Sequence, residues 1–149
     1  AGDLDLADLV ARGLVVGWAP HRPTPRIAAR SPRERAALGY LHGNCGHCHN
    51  RSPQRVPLRL TLSQDGADAM PEVLRSTVRA ESRFRATSPD PDAGIDRIVE
   101  PGRPDTSLLT VRMRSTHPQR RMPPLGTDHP DLEGLALVEA WITRDLSSP

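Results

Sequence analysis

Lysine is absent from the 149 residues, so all 20 basic side chains are arginine. Aromatic residues are nearly as scarce: only Trp18, Tyr40, Phe84 and Trp141 occur. Arginines without interleaved aromatics form no stripe that could grip phosphates while stacking bases, which excludes nucleic acid as a partner. Long apolar runs are missing too. The best, Leu14-Val15-Val16-Gly17-Trp18-Ala19, falls far short of the roughly 20 residues needed to cross a bilayer, so no membrane span is expected. With two cysteines and no second pair, a finger-type zinc site lacks half its ligands. Hydrophobic residues make up only 36% of the chain and prolines number 16. One domain of this length therefore has a thin apolar supply for its core.

The chemistry that is present is concentrated in Cys45-Gly46-His47-Cys48-His49, which uses both cysteines and places a histidine directly after the second. This is the C-x-x-C-H pattern of c-type haem attachment. Two thiols three residues apart on one turn can each add to a vinyl group on the same porphyrin edge. The next residue is then carried under the ring, where an imidazole can bind iron. Chance places two cysteines at this spacing roughly once in 70 arrangements, and a histidine follows in roughly one case in 25. Cys-Gly-His-Cys also reads as a dithiol redox motif, but that motif opens a helix directly after a buried strand. Here the preceding stretch reads as helix, and His49 would have no role. One covalent haem c and its iron are the expected cofactors. A buried porphyrin supplies the large apolar body the sequence lacks, and its propionates would about cancel the formal charge of +2.

Periodicity and capping signals predict a mainly helical chain. Residues 1–30 read as an arm or linker. There Leu4, Leu6, Leu9, Val10 and Leu14 could line a short helix before Pro20, Pro23 and Pro25 force an extended path. The domain proper is expected over 31–149. Ser31-Pro32-Arg33-Glu34 reads as a capping box opening a helix that runs toward Asn44, with a close helix crossing at Gly39. Leu58, Leu60 and Leu62 alternate with polar residues as in a strand, and Ile95, Ile98 and Val99 are its expected partner. A short helix is expected from Met70 to Val78, then a polar loop from Glu81 to Gly94. Asp105 is expected to cap a helix bearing Leu108, Leu109 and Met113. The last helix starts near Asp131, with Leu132, Leu135, Val138, Trp141 and Ile142 as its apolar stripe. No internal repeat leaves room for a second haem domain.

His49 is the expected proximal ligand, its second ring nitrogen bonded to a carbonyl that Pro53 or Pro57 could present. Three methionines compete for the opposite side. Met122, in Arg121-Met122-Pro123-Pro124-Leu125-Gly126, is favoured because the prolines keep the backbone after the thioether out of a helix. Met113 reads as core, Met70 precedes a helix, and His117 or an open site is the other alternative. Arg103, Arg112, Arg120 and Arg121 are candidates to pair with propionates.

Three segments together resemble bacterial extracytoplasmic cytochrome c domains of the class I kind. They are Tyr40 to His49, Pro101-Gly102-Arg103-Pro104-Asp105-Thr106-Ser107-Leu108-Leu109, and Met122-Pro123-Pro124-Leu125-Gly126 followed by Trp141-Ile142. The resemblance covers about residues 35–145. It implies a class I helical fold around one haem and His49/Met122 ligation, with first and last helices crossing beside the haem through Gly39, Tyr40 and Trp141. Tyr40, Arg103, Arg121 and Leu125 join Cys45, Cys48, His49 and Met122 as expected cofactor contacts. The implied function is one-electron transfer rather than catalysis, with a redox partner protein or an upstream dehydrogenase domain as partner. A gas sensor or peroxidase-like catalyst with a labile sixth ligand is the alternative. Haem attachment takes place outside the bacterial cytoplasm, so a periplasmic, processed protein or a piece of a longer exported one is expected.

Overall fold

The computed structural model describes residues 5–19, 21–52, 60–64, 71–82 and 94–147. The chain is mainly helical. Its described residues form α1 (Leu6–Ala11), α2 (Pro32–Cys45), α3 (Glu72–Thr77), α4 (Leu108–Arg114) and α5 (Leu132–Asp145), with a 3-10 turn at Pro104–Thr106. None of these helices is long and apolar enough to cross a membrane.

Helix α2 begins where its sequence says it should: Ser31 Oγ accepts the Glu34 N–H at 2.9 Å, and Pro32 occupies the first turn. The reciprocal half of the expected capping box does not form. The Glu34 carboxylate instead accepts from the Arg30 N–H at 2.9 Å, the Arg30 guanidinium at 2.5–3.1 Å and the Trp141 indole at 3.2 Å. Glu34 is 1% exposed. A carboxylate that deep needs a cation and several donors, more than one backbone N–H supplies.

Helices α2 and α5 pack on each other through Ala37, Leu38 and Leu41 on one and Leu135, Val138, Trp141 and Ile142 on the other. Each large apolar side chain buried here is worth about 1.5–3 kcal/mol. The stripe on α5 starts one turn later than the sequence suggests, because Leu132 is exposed. The close approach also differs from expectation. A Cβ at Gly39 would meet only Ile27 Cγ1 of the arm, at 3.7 Å. At Gly134 it would lie 2.2–2.4 Å from two ring carbons and the hydroxyl oxygen of Tyr40. The crossing is therefore made by Tyr40 of α2 seated on Gly134 of α5. At the other end of the pair, Ser31 Oγ donates to Asp145 at 2.5 Å and Arg33 pairs with the same carboxylate.

The arm is tied to the core only at its α2 end among the described contacts, and α1 is tied to the arm itself. Asp5 and Asp8 cap α1 reciprocally, Asp5 pairs with Arg26 at 2.7 Å, and α1 buries none of its residues. Nearer α2, Ile27 and Ala29 pack against the core, and the Ala28 N–H bonds Gln64 Oε1 at 3.0 Å. No regular strand forms among the described residues. Ile95 to Val99 pairs with 78–81 rather than with the leucine run: isolated bridges join Val78 to Val99 and Glu81 to Arg97. Leu60 and Leu62 lie outside any regular element, with the Thr61 N–H and carbonyl both taken by Ser76 Oγ; Leu58 lies outside the described residues. Helix α3 is shorter than expected, and Met70 is likewise undescribed. Asp105 sits inside the 3-10 turn, so Ser107 rather than Asp105 flanks α4.

Candidate functional site

Helix α2 ends on Cys45, and the next turn is wound tightly on that residue's carbonyl. The Cys48 and His49 N–H groups both donate to Cys45 O, at 3.1 and 2.8 Å. Asn50 Nδ2 bridges the carbonyls of Gly46 and His47 at 2.9 and 3.0 Å. The turn is then pinned from outside, because His49 O accepts from the Leu62 and Ser63 N–H groups at 2.8 and 3.3 Å. That approach explains Gly46. A Cβ there would stand 2.6 Å from His42 O and 3.1 Å from Ser63 Cα. The C-x-x-C-H pattern leaves this position open, and only its place between the two cysteines marks Gly46 in the sequence.

A cavity of about 780 Å³ opens beside this turn. Leu60, Leu62, Ile98, Leu108, Leu109 and Met113 give it aliphatic walls, and Cys45, His49 and Met122 border it as well. Its size lies within the range of roughly 300–1,000 Å³ typical of pockets for organic ligands. A smaller cavity of about 250 Å³ shares Cys45, Met113 and Met122 with it and adds Tyr40, Asn44 and Arg121. Met122 reaches this place because its N–H donates to the Arg112 carbonyl at the end of α4, at 3.0 Å. The Arg120 and Arg121 N–H groups, both on His117 O at 2.9 Å, fold the chain back just before it.

The electrostatics of the motif are uneven. Burial, then the neighbouring Cys48 charge, pushes the Cys45 thiol up to about 11, whereas Cys48 is exposed and borders neither cavity. Burial, with a smaller contribution from His47, lowers the pKa of His49 and keeps its imidazole neutral. Its Nδ1 is buried without a hydrogen-bond partner; Pro53 and Pro57 lie outside the described residues. Burial, then the neighbouring Asp131 carboxylate, pushes the Tyr40 hydroxyl up to about 12.

The eight expected contacts thus divide. Cys45, His49 and Met122 meet at the larger cavity, and Tyr40 and Arg121 border the smaller one. Arg121 has its Nε buried without a partner and Nη1 3.7 Å from Asp128. Arg103 is exposed: its backbone is committed to the turn, donating to Glu100 O and accepting from Ser107 Oγ. Leu125 is 83% exposed, beside the bend at Gly126. Neither borders either of these two cavities, and the same holds for exposed His117. Of the arginines, Arg112 borders the larger cavity, together with Arg75, which the sequence reading had not singled out. Among the described residues, no three His, Cys, Asp or Glu side chains gather as a metal-binding group, as a structural zinc site would require. No protein-family model, curated protein or solved structure matches the chain.

Proposed function

We propose that this chain is a mono-haem cytochrome c domain of the class I kind and acts as a one-electron carrier outside the cytoplasm. The observation that carries the reading is the meeting of Cys45, His49 and Met122 at one aliphatic-walled cavity, although Met122 follows His49 by 73 residues (122 − 49). The donor set fits a c-type haem. Cys45 and, from the exposed side of the same turn, Cys48 would hold the group through two thioethers, each thiol adding sulfur and hydrogen across a vinyl C=C with no net redox change. His49 offers a neutral imidazole, the form that binds a metal, and its buried, unpartnered Nδ1 is a polar atom in need of a role. Met122 offers a thioether, which raises the reduction potential relative to a second nitrogen ligand. When bound, haem supplies the Fe(III)/Fe(II) couple.

The chain's own residues do the rest. The turn on Cys45 O orients His49, the bond to Arg112 O fixes the backbone of Met122, and the leucines and Ile98 exclude water, favouring the less charged ferrous state. The high pKa of Cys45 weighs against a dithiol oxidoreductase, whose attacking cysteine needs a depressed one. Optical spectra of oxidised and reduced protein, with and without carbon monoxide, test the reading. A low-spin spectrum, a weak oxidised band in the far red, and no fast carbon monoxide binding are expected. A high-spin spectrum with tight carbon monoxide binding would replace the carrier by a sensor or peroxidase-like catalyst.

A further inference from the structure

Residues 60–64 form a strap tied to the motif turn, α3, the arm and α2. Leu60 and Leu62 wall the larger cavity, and the Leu62 and Ser63 N–H groups donate to His49 O at 2.8 and 3.3 Å. At one end of the strap Ser76 Oγ takes both backbone polar groups of Thr61, at 3.1 and 2.9 Å. At the other end Gln64 has two anchors. Its Oε1 accepts the Ala28 N–H of the arm at 3.0 Å, and its own N–H donates to His42 Nδ1 on α2 at 3.0 Å. The second anchor is conditional, because an imidazole nitrogen accepts a hydrogen bond only while it carries no proton. His42 is exposed, so solvent protons reach it without any opening of the fold.

We propose that His42 is a positioning residue for the Cys45–His49 turn: its neutral imidazole fastens the strap that holds His49, and protonation unfastens it. The consequence for an iron ligand rests on the haem reading above, whereas the fastener rests on the hydrogen bonds alone. Protonation places a hydrogen on Nδ1, so two donors face each other where one bond stood. An imidazole changes charge between about pH 5 and 8. Around His42, residues 60–64 of the strap and 27–29 of the arm carry no ionisable side chain. One turn away on α2 stand Leu38, Gly39, Cys45 and Gly46, of which only Cys45 titrates, at about 11. The cations nearby in the chain are committed: Arg35 Nε to Ile27 O at 3.3 Å, Arg26 to Asp5 at 2.7 Å, and Arg30 to Glu34 at 2.5 Å. The other imidazole close by outside the cavity is His47, exposed on the motif turn.

The test is residue-resolved amide hydrogen exchange of the reduced holoprotein from about pH 8 down to pH 5, with rates corrected for the intrinsic effect of pH. One hydrogen bond of this kind changes a local opening equilibrium about tenfold. Protection of Leu62, Ser63 and Gln64 should therefore fall together by that factor, with the midpoint shown by the His42 ring protons. His42→Asn sets a non-titrating acceptor at the position of Nδ1 and should hold protection level across the range. His42→Phe offers no acceptor and should show the low value at every pH. His47→Asn should leave the parent's curve in place. Parent protection that ignores pH overturns the fastener, as does a curve that His47→Asn abolishes or His42→Phe preserves. A fall confined to Gln64, with Leu62 and Ser63 unmoved, overturns the positioning role. A haem-free protein in which Gln64 still follows His42 overturns the haem reading and upholds the fastener.

Discussion

Replacing Gly134 with alanine adds one methyl group where the structure has no space for it. The new Cβ would lie 2.2 Å from Tyr40 Cζ, 2.3 Å from Cε2 and 2.4 Å from the hydroxyl oxygen, against carbon contacts of about 3.5–4.0 Å. The ring must move by more than 1 Å (roughly, by that difference), which opens the α2–α5 crossing or drives Tyr40 off Asp131. Overpacking of this kind costs about 1–3 kcal/mol. Alanine recovers up to about 1 kcal/mol through its helix preference, leaving a net loss of about 1–2 kcal/mol. For a domain of this size the unfolding midpoint should drop by about 3–6 °C. Gly39→Ala is the internal control. Its Cβ meets only Ile27 Cγ1 at 3.7 Å, an ordinary contact, so the helix gain of about 0.5–1 kcal/mol should show as increased stability. Thermal and urea unfolding of both variants measure the difference. Gly134→Ala as stable as the parent, or Gly39→Ala the more damaging of the two, would refute the assignment of the crossing.

Met122→Ala should abolish the far-red band and admit carbon monoxide to the reduced protein. Met113→Ala should keep the band but lose about 2–5 kcal/mol of stability as a buried truncation; optical spectra and urea unfolding separate the two. The Glu34 carboxyl is held below its ordinary range: burial alone would raise it, but Arg30 and the Trp141 indole outweigh that. A carboxylate lowered by folding contributes stability above its unfolded pKa of about 4.3 and loses it as pH falls through the folded value. Asp145, lowered mainly by Ser31 and Arg33 against its own desolvation, acts in the same direction. Unfolding midpoints measured from pH 6 downward (about two units across this range) should therefore fall less steeply in Glu34→Gln than in the parent. On a denaturing gel stained for haem, Cys45→Ala and Cys48→Ala should each retain colour through one thioether, and the double variant should retain none.

Helix positions were legible where a local signal coincided with the packing. Ser31 and Asp131 cap α2 and α5 as their side-chain chemistry suggests, and the apolar spacing of Leu135, Val138, Trp141 and Ile142 marks the buried face of α5. What failed was partner choice, which depends on three-dimensional neighbours. Nothing local tells Gly39 from Gly134, and only the ring of Tyr40 decides which glycine the crossing needs. The Ile95–Val99 segment has strand-like composition, but its partner at 78–81 was hidden behind helical periodicity, while the alternating leucines were the more visible choice. At the cavity, the nearness of Cys45 and His49 was legible because they lie four residues apart on one turn. Met122 carried a signal in its two prolines. Arg75 carried none, since one arginine among 20 looks like any other until a cavity lies beside it.

Denatured, intact-mass analysis of protein matured in a host able to attach haem addresses the central claim most directly. The account predicts a single species at the mass of the chain plus one haem, unchanged by reduction. A species at the bare 16.3 kDa of the polypeptide would contradict it.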